Sequence, residues 1–295
     1  MTQGPKDGQH NHFWQMVWHE TADPAVVVML TQTTEAGRDK CSQYFPDQKQ
    51  EEAMKIRETS YDQEEGAVEE DFAAELRLLE LNVEHDSQCV VRKLQLTVGA
   101  ESKIVWHLLF AGWPDWGVPD HSQQDALFAL IELVREKSKI SNGPAVVHCS
   151  AGVGRSGTFI ALDHLLEELD QGVFDDASLL QKAAGYDPNP LEPDLIFHTV
   201  NCLRQQRMMM VQSDAQLIFV YQVLREKWLQ RHGQADESVS ASTGLSQQMA
   251  GDLLDSSPLR HLDLDWLQPS PTRLTPATST STLARTKSPA PSSRR

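Results

Sequence analysis

The 295-residue chain has few of the features that mark secreted, membrane-spanning or zinc-binding proteins. It contains four cysteines, Cys41, Cys89, Cys149 and Cys202, and their spacing fits neither a CxxC nor a zinc-ligand pattern. No stretch approaches the roughly 18 consecutive apolar residues of a membrane span, and the polar opening, MTQGPKDGQHNH, is unlike a secretory signal. We therefore expect reduced thiols and a cytoplasmic protein, with the nucleus as the alternative.

Basic residues are also scarce. The chain has 26 Lys and Arg against 42 Asp and Glu, so its formal net charge is −16 at pH 7. This excess of negative charge argues against general binding to nucleic acids or acidic membranes. It leaves an anionic substrate open, because one local pocket can be positive within a negative protein.

The composition changes after residue 232. Ser, Thr, Pro and Gln dominate from there to the end, which predicts a disordered tail over residues 233–295. Within it, Leu259–Leu267 is apolar enough for a short docking segment, although a nascent helix without a role is the favoured interpretation. Ser-Pro and Thr-Pro pairs predict sites for proline-directed kinases at Ser257, Ser270, Thr275 and Ser288.

Before the tail, apolar runs alternate with amphipathic helical patterns, and this alternation predicts one α/β domain over residues 1–232. Strands are predicted at Ala25–Leu30, Val90–Val98, Ile104–Phe110 and Ala145–His148. Helices are predicted at Gln123–Lys139, Ser156–Leu169, Asp194–Gln206 and Asp214–Leu229.

A Gly-rich turn, HCSAGVGRSGT at His148–Thr158, joins a predicted buried strand to a predicted helix. The unpaired backbone N–H groups at a helix start combine with the helix dipole to form an anion site. Gly152, Gly154 and Gly157 let the backbone curl closely around such an anion. The turn therefore predicts a phosphate-binding loop.

Other interpretations of this turn explain fewer of its residues. Gly152–Gly157 also matches the dinucleotide motif G-x-G-x-x-G, but that motif needs an acidic residue about 20 positions later, at the end of a second strand. Glu167 and Glu168 instead fall inside a predicted helix. A Walker A loop is excluded because the turn has no Gly-Lys-Ser/Thr. A buried core thiol at Cys149 would leave the glycines and Arg155 unexplained.

Cys149 and Arg155 are separated by five residues, the spacing C-x5-R. A thiolate at the mouth of the loop is stabilised by the N–H donors and the helix start, which makes Cys149 the predicted nucleophile. The planar fork of Arg155 matches two phosphoryl oxygens. Ser156 can hydrogen-bond the sulfur and ease its departure from a cysteinyl-phosphate. No metal or other cofactor is predicted, because thiolate and guanidinium supply what a metal pair supplies elsewhere.

The turn resembles the signature loop of the tyrosine-specific, non-receptor-like protein tyrosine phosphatases. The resemblance extends from Thr2 to Leu229. It implies the fold of that family, a twisted mixed β-sheet flanked by helices, and phosphotyrosyl proteins as substrates. It also makes His148 a candidate catalytic residue. The implied phosphate-binding residues are Ser150, Ala151, Gly152, Val153, Gly154 and Arg155.

GWPDWGVPD at Gly112–Asp120 resembles the family's acid loop. Its composition alone would favour an ordinary Pro/Gly surface loop. The resemblance implies that Asp115 is the general acid and then the general base, with Trp113 as a supporting residue. Trp116 stands where the family more often has Phe.

Two more segments resemble parts of the family's site. Val211–Gln216 (VQSDAQ) resembles the glutamine loop, in which Gln212 would position the attacking water and Gln216 would support it. The segment 34–47 (TEAGRDKCSQYFPD) resembles a hairpin beside the site. There the resemblance implies that Glu35 pairs with Arg155 and that Lys40 contacts the acid loop; a surface salt-bridge hairpin is the alternative.

The chain also departs from the family pattern. Family domains carry several dozen residues before TQGP at Thr2–Pro5, including a tyrosine that stacks on the substrate ring, whereas this chain has no tyrosine before Tyr44. We therefore expect the N-terminal part of the domain to be missing and the preference for phosphotyrosine to be weakened. A catalytically impaired phosphotyrosine-binding module is the alternative function, and a phosphatase acting on phosphoserine, phosphothreonine or phosphoinositides is a further one. An insertion at 185–194 (GYDPNPLEPD) resembles fungal members.

Overall fold

A seven-stranded mixed β-sheet lies at the centre of the computed structural model, which describes residues 1–48, 52–56, 72–176, 179, 183 and 194–243, with side chains as far as residue 232. Its strands are β1 (Thr2–Gln3), β2 (Ala25–Met29), β5 (Met54–Ile56), β6 (Ala74–Glu84), β7 (Cys89–Val98), β8 (Glu101–Phe110) and β9 (Val146–Cys149). A separate hairpin consists of β3 (Thr34–Glu35) and β4 (Arg38–Asp39).

The strand order is β1-β9-β2-β8-β7-β6-β5. Strands β1, β9, β2 and β8 pair in parallel, whereas β8, β7, β6 and β5 form an antiparallel meander. The carboxyl ends of the parallel strands therefore meet at one edge of the sheet. Ligands of such sheets bind outside that edge, and Cys149 is the last residue of β9.

Five α-helices and one short 3₁₀-helix (Val173–Asp175) have their bounds in the described part of the chain. The α-helices are α1 (His10–Glu20), α2 (His121–Ser141), α3 (Gly154–Asp170), α4 (Leu195–Gln206) and α5 (Asp214–Thr243). Aspartates cap two of them, because the side chain of Asp120 accepts from the Gln123 N–H of α2 and that of Asp194 accepts from the Phe197 N–H of α4. In contrast, the N-cap of α3 is Val153, whose side chain cannot accept a hydrogen bond, and α3 has no side-chain cap from the described residues. Its first N–H groups are left for another acceptor.

Both faces of the sheet are buried at β2. Along β2, Val26 and Val28 point to a core formed with α2, α3, α4 and α5. Val27 and Met29 alternate with them and pack on the opposite face against α1 and the segment around Tyr44. Burial on both sides explains why β2 is a continuous apolar run without polar alternation.

The predicted fold class is confirmed: the chain has a mixed sheet flanked by helices. The four predicted strands and the helices α2, α3 and α4 are confirmed to within about three residues at each end. The last helix was predicted to end at Leu229 but continues to Thr243, into the segment predicted as tail. Helix α1 and strand β6 were not predicted.

Residues 244–295 and most of the insertion at 185–194 lie outside the described residues, so the predicted disordered tail, the Leu259–Leu267 segment and the kinase sites remain predictions. The division into a domain over 1–232 and a tail also remains a prediction. Across the described ranges, none of the helices has the length and apolar character needed to cross a bilayer.

Candidate active site

The Gly-rich turn runs from the end of β9 into α3, as the sequence predicted. Cys149 is buried, and its Sγ accepts a hydrogen bond from the Gly152 N–H at 3.2 Å. Gly152 has φ +72°, a left-handed conformation that favours glycine. The loop therefore curls back towards the sulfur and directs a backbone donor at it.

Arg155, in the first turn of α3, is 3% exposed. Its Nη1 donates to Glu35 Oε1 at 2.6 Å and to the Trp113 carbonyl oxygen at 3.1 Å. Its Nη2 donates to Asp115 Oδ1 at 3.1 Å. The guanidinium thus joins the β3–β4 hairpin, the acid loop and the phosphate-binding loop at one point.

The acid loop lies over this point. The Trp113 side chain is buried, and its Nε1 donates to the Gly117 carbonyl oxygen at 3.0 Å, which closes the loop on itself. Asp115 forms ion pairs with both Arg155 and Lys40. The contacts of Glu35 with Arg155 and of Lys40 with the acid loop are those that the resemblance implied.

The two glutamines lie on the other side of the loop. Gln216 Oε1 accepts from the backbone N–H groups of Gln212 at 3.0 Å and Ser213 at 3.3 Å, so it holds the turn before α5. A Cβ at Gly154 would lie 3.2 Å from Gln216 and 3.3 Å from Gln212. Glycine at this position therefore lets both amides approach the start of α3.

His148 lies behind the loop and does not line the pocket. It is fully buried; its Nδ1 lies 3.0 Å from the Cys149 carbonyl oxygen, and its Nε2 lies 2.5 Å from the Tyr44 hydroxyl. Burial, aided by the positive charge of Arg155, lowers its pKa to about 4. The geometry gives His148 a supporting position, behind the backbone of the nucleophile.

The structure does not contain the hydrogen bond that was predicted from Ser156 to the sulfur. The Ser156 side chain is fully buried, and its Oγ has no hydrogen-bond partner among the described residues. Ser156 lies inside the first turn of α3, where its side chain is enclosed by the protein and does not line the pocket with Cys149.

Several contacts that hold the loop were not expected from the sequence. Arg207 Nη2 donates to the Ala151 carbonyl oxygen at 3.1 Å, and Ser150 Oγ donates to the Lys40 carbonyl oxygen at 2.9 Å. Arg207 is 56 positions from Ala151 in the sequence, and Ser150 is 110 positions from Lys40. Local sequence carries no signal for contacts between such distant segments.

A shallow pocket of about 150 Å³ lies above the sulfur. Its walls are Lys40, Asp115, Trp116, Cys149, Ser150, Ala151, Gly154, Arg155, Gln212 and Gln216. A larger groove of about 430 Å³ lies between the β6–β7 turn and α2, but its lining includes four carboxylates and would repel a phosphate. We take the smaller pocket as the site, because it joins a thiol to a lysine and an arginine.

The fold and this pocket bring a thiol, a lysine and an arginine together at the carboxyl edge of a mixed sheet. In the described ranges, no cluster of three or more His, Cys, Asp or Glu side chains is arranged to hold a metal ion. Residues 1–226 match the model of the family described as protein-tyrosine phosphatase. The chain belongs to this family.

Similar proteins include Tyrosine-protein phosphatase 2 of Schizosaccharomyces pombe, 35% identical over 228 residues, which cover 75% of this chain and 27% of that protein. Phosphatidylinositol phosphatase PTPRQ of Rattus norvegicus is 34% identical over 223 residues, 76% of this chain and 8% of its own length. The fold is also similar to a solved structure described as the structural basis of the PTPN18 fingerprint on distinct HER2 tyrosine phosphorylation sites, with a TM-score of 0.58. The two chains are 25% identical, and the match covers 77% of this chain and 67% of the other. The chain thus spans 27% and 8% of the length of these two curated relatives.

Proposed function

We propose that this protein hydrolyses phosphotyrosyl proteins through a cysteinyl-phosphate on Cys149. The observation that carries the proposal is the geometry of the turn, in which a thiol receives a backbone N–H at the start of an uncapped helix and faces a buried arginine. The family membership and the names of the relatives support the same activity.

In the first step, the Cys149 thiolate attacks phosphorus while the bond to the tyrosine oxygen breaks. The phosphoryl oxygens take hydrogen bonds from the loop N–H groups and from the Arg155 fork. Nη2 of that fork donates to Asp115, so a phosphoryl oxygen that takes this donor displaces the carboxylate. The freed Asp115 carboxylate takes up a proton from solvent, and the resulting carboxylic acid donates this proton to the leaving phenolate as general acid.

In the second step, Gln212 orients a water molecule and Asp115 takes its proton. The water attacks phosphorus, the P–S bond breaks, and the electron pair returns to Cys149 as thiolate. Gln216 supports this step by holding the Gln212 backbone. Ser156 stays proposed as an aid to thiolate departure, a role that requires its hydroxyl to turn towards Sγ.

Release of phosphate from a phosphotyrosyl peptide, compared with a phosphoseryl peptide of the same sequence, tests the proposal. We expect turnover of the phosphotyrosyl peptide that Cys149→Ser abolishes. Cys202→Ser is the matched control, because Cys202 lies on α4 and contacts His198 outside the pocket. Turnover that survives Cys149→Ser would refute the assignment of the nucleophile.

Two alternatives have distinct outcomes in the same assay. A phosphotyrosine-binding module without catalysis would bind the peptide and release no phosphate; this is not favoured, because the relatives are named as phosphatases. Phosphoinositide hydrolysis has one specific observation in its favour, the similarity to PTPRQ. Against it, the loop from Ser150 to Gly154 has no lysine to meet further phosphates, and release from a short-chain phosphoinositide tests it directly.

A cytoplasmic location and phosphorylation of the tail by proline-directed kinases belong to the proposal as well. Fractionation of cells that express the tagged chain tests the first. Phosphopeptide mapping at Ser257, Ser270, Thr275 and Ser288 tests the second.

A further inference from the structure

The hydroxyl of Tyr44 lies between two buried histidine rings. Its Oη is 2.5 Å from Nε2 of His148 and 2.9 Å from Nε2 of His107. All three side chains are fully buried, so their polar atoms depend on one another for hydrogen bonds.

The direction of these hydrogen bonds follows from the last acceptor. His148 Nδ1 faces the Cys149 carbonyl oxygen at 3.0 Å, and a carbonyl oxygen can only accept, so Nδ1 carries a hydrogen. Burial lowers the pKa of His148 to about 4, which keeps the ring neutral near pH 7. Its Nε2 is then an acceptor, and Tyr44 is the donor to it.

The same reasoning fixes His107. The single hydroxyl hydrogen of Tyr44 is used towards His148, so the Tyr44 oxygen accepts the hydrogen on Nε2 of His107. Met29 Sδ, 3.8 Å from the hydroxyl, is a weak acceptor and a poor competitor. Each group therefore donates to the next in one direction: His107 to Tyr44, Tyr44 to His148, and His148 to the backbone carbonyl oxygen of Cys149.

We propose that His107 is a positioning residue for the reaction, an inference that rests on the proposed function. By donating to Tyr44 it fixes the tautomer and orientation of His148. Hydrogen bonds in a chain polarise one another, so the first donor strengthens the last one, at the Cys149 carbonyl oxygen. This last bond orients the backbone that carries the thiolate and places a positive dipole beside it.

The groups around the hydrogen-bonded side chains of His107, Tyr44 and His148 favour their neutral states. Arg92 stacks over the Phe45 ring at 4.4 Å, and that ring lies 4.3 Å from the ring of His107. The positive charge of Arg92, added to burial, lowers the pKa of His107 well below its usual value. On the opposite side, burial raises the pKa of the Cys41 thiol to about 12, so this neighbour of Tyr44 is neutral too.

Two variants separate the donor from the bulk of the side chain. His107→Gln keeps an N–H donor near the position of Nε2, whereas His107→Leu fills similar space without a donor. We expect His107→Leu to lower kcat and the rate of Cys149 alkylation by iodoacetate by about fivefold each, the weight of one hydrogen bond, with little change in KM. His107→Gln should recover most of both rates, and thermal melting of both variants checks that they fold.

Nitrogen-15 NMR of the histidine rings tests the chain without any turnover. We expect hydrogen on Nδ1 of His148 and on Nε2 of His107 at pH 7. Hydrogen on Nε2 of His148, or a folded His107→Leu variant with wild-type alkylation, would overturn the inference. If the tautomers and the alkylation rates are as expected but the wild-type protein releases no phosphate, the proposed function fails and the positioning of Cys149 by His107 stands.

Discussion

Removal of the Glu35 carboxylate should weaken both the fold and the phosphate clamp. Its Oε1 accepts from Arg155 Nη1 at 2.6 Å, from Thr31 Oγ1 at 2.8 Å and from the Gln32 N–H at 3.1 Å. The side chains of Glu35 and Arg155 are 15% and 3% exposed, so solvent screens their interaction only weakly. Glu35→Ala would leave three donors without this acceptor and would remove one of the two carboxylates that hold the guanidinium.

Breaking a buried ion pair by removal of one partner costs about 3–5 kcal/mol. We expect the lower end, about 3 kcal/mol, because Asp115 and the Trp113 carbonyl oxygen still bind Arg155. Glu35→Gln keeps an acceptor and loses only the charge, which should cost about 1 kcal/mol. For a domain of this size, 1 kcal/mol lowers Tm by about 2–4 °C.

The assay is urea and thermal unfolding of both variants, with kcat/KM for a phosphotyrosyl peptide measured in parallel. Glu80→Ala is the control, because Glu80 pairs with Lys93 at 3.1 Å with its side chain 51% exposed. Such surface pairs contribute about 0–1 kcal/mol. The expected order of destabilisation is Glu35→Ala, then Glu35→Gln, then the control. Equal destabilisation by Glu35→Ala and Glu80→Ala would show that the buried Glu35–Arg155 pair contributes no more than a surface pair.

Three further changes test other parts of the site. Gly152→Ala should displace the loop and strongly reduce turnover, because the residue has φ +72° and a Cβ would overlap the Thr2 carbonyl oxygen; normal kinetics would contradict this. Ser156→Ala should leave the free energy of unfolding almost unchanged, since its buried Oγ has no partner among the described residues. The same variant should slow the breakdown of the cysteinyl-phosphate, which burst kinetics measures. Since the folded-state pKa of His148 is lowered from 6.5 to about 4, the unfolded chain binds the proton first as pH falls. Stability should therefore drop by about 3 kcal/mol between pH 6.5 and pH 4, and urea titrations of His148→Asn should show a smaller drop.

The sequence predicted the elements that carry a local pattern. Ala25–Met29 forms a buried strand because its continuous apolar run is covered on both faces, and α2 has apolar residues at helical spacing. The turn from Cys149 to Arg155 was predicted because glycines, a thiol and an arginine at this spacing have one chemical interpretation that uses them all. The roles of these side chains remain predictions until turnover is measured.

Other features could not be predicted because they depend on contacts between distant segments. His107 and Tyr44 are 63 positions apart and gain their relation only when β8 packs beside the segment that follows the hairpin. The hydrogen bond from Arg207 to the Ala151 carbonyl oxygen likewise forms only once the loop has folded. Strand β6 shows why a pattern alone can fail: its apolar alternation shifts phase at the register irregularity between Leu78 and Glu80, and the apolar residues Leu81 and Val83 beyond it are exposed.

The central claim is that phosphate passes through the sulfur of Cys149. Its most direct test is rapid acid quench of the protein mixed with a ³²P-labelled phosphotyrosyl peptide, followed by proteolysis and mass spectrometry. We expect a transient phosphate on the peptide that contains Cys149, absent in Cys149→Ser. Turnover without labelled Cys149, or a label on another residue, would contradict it.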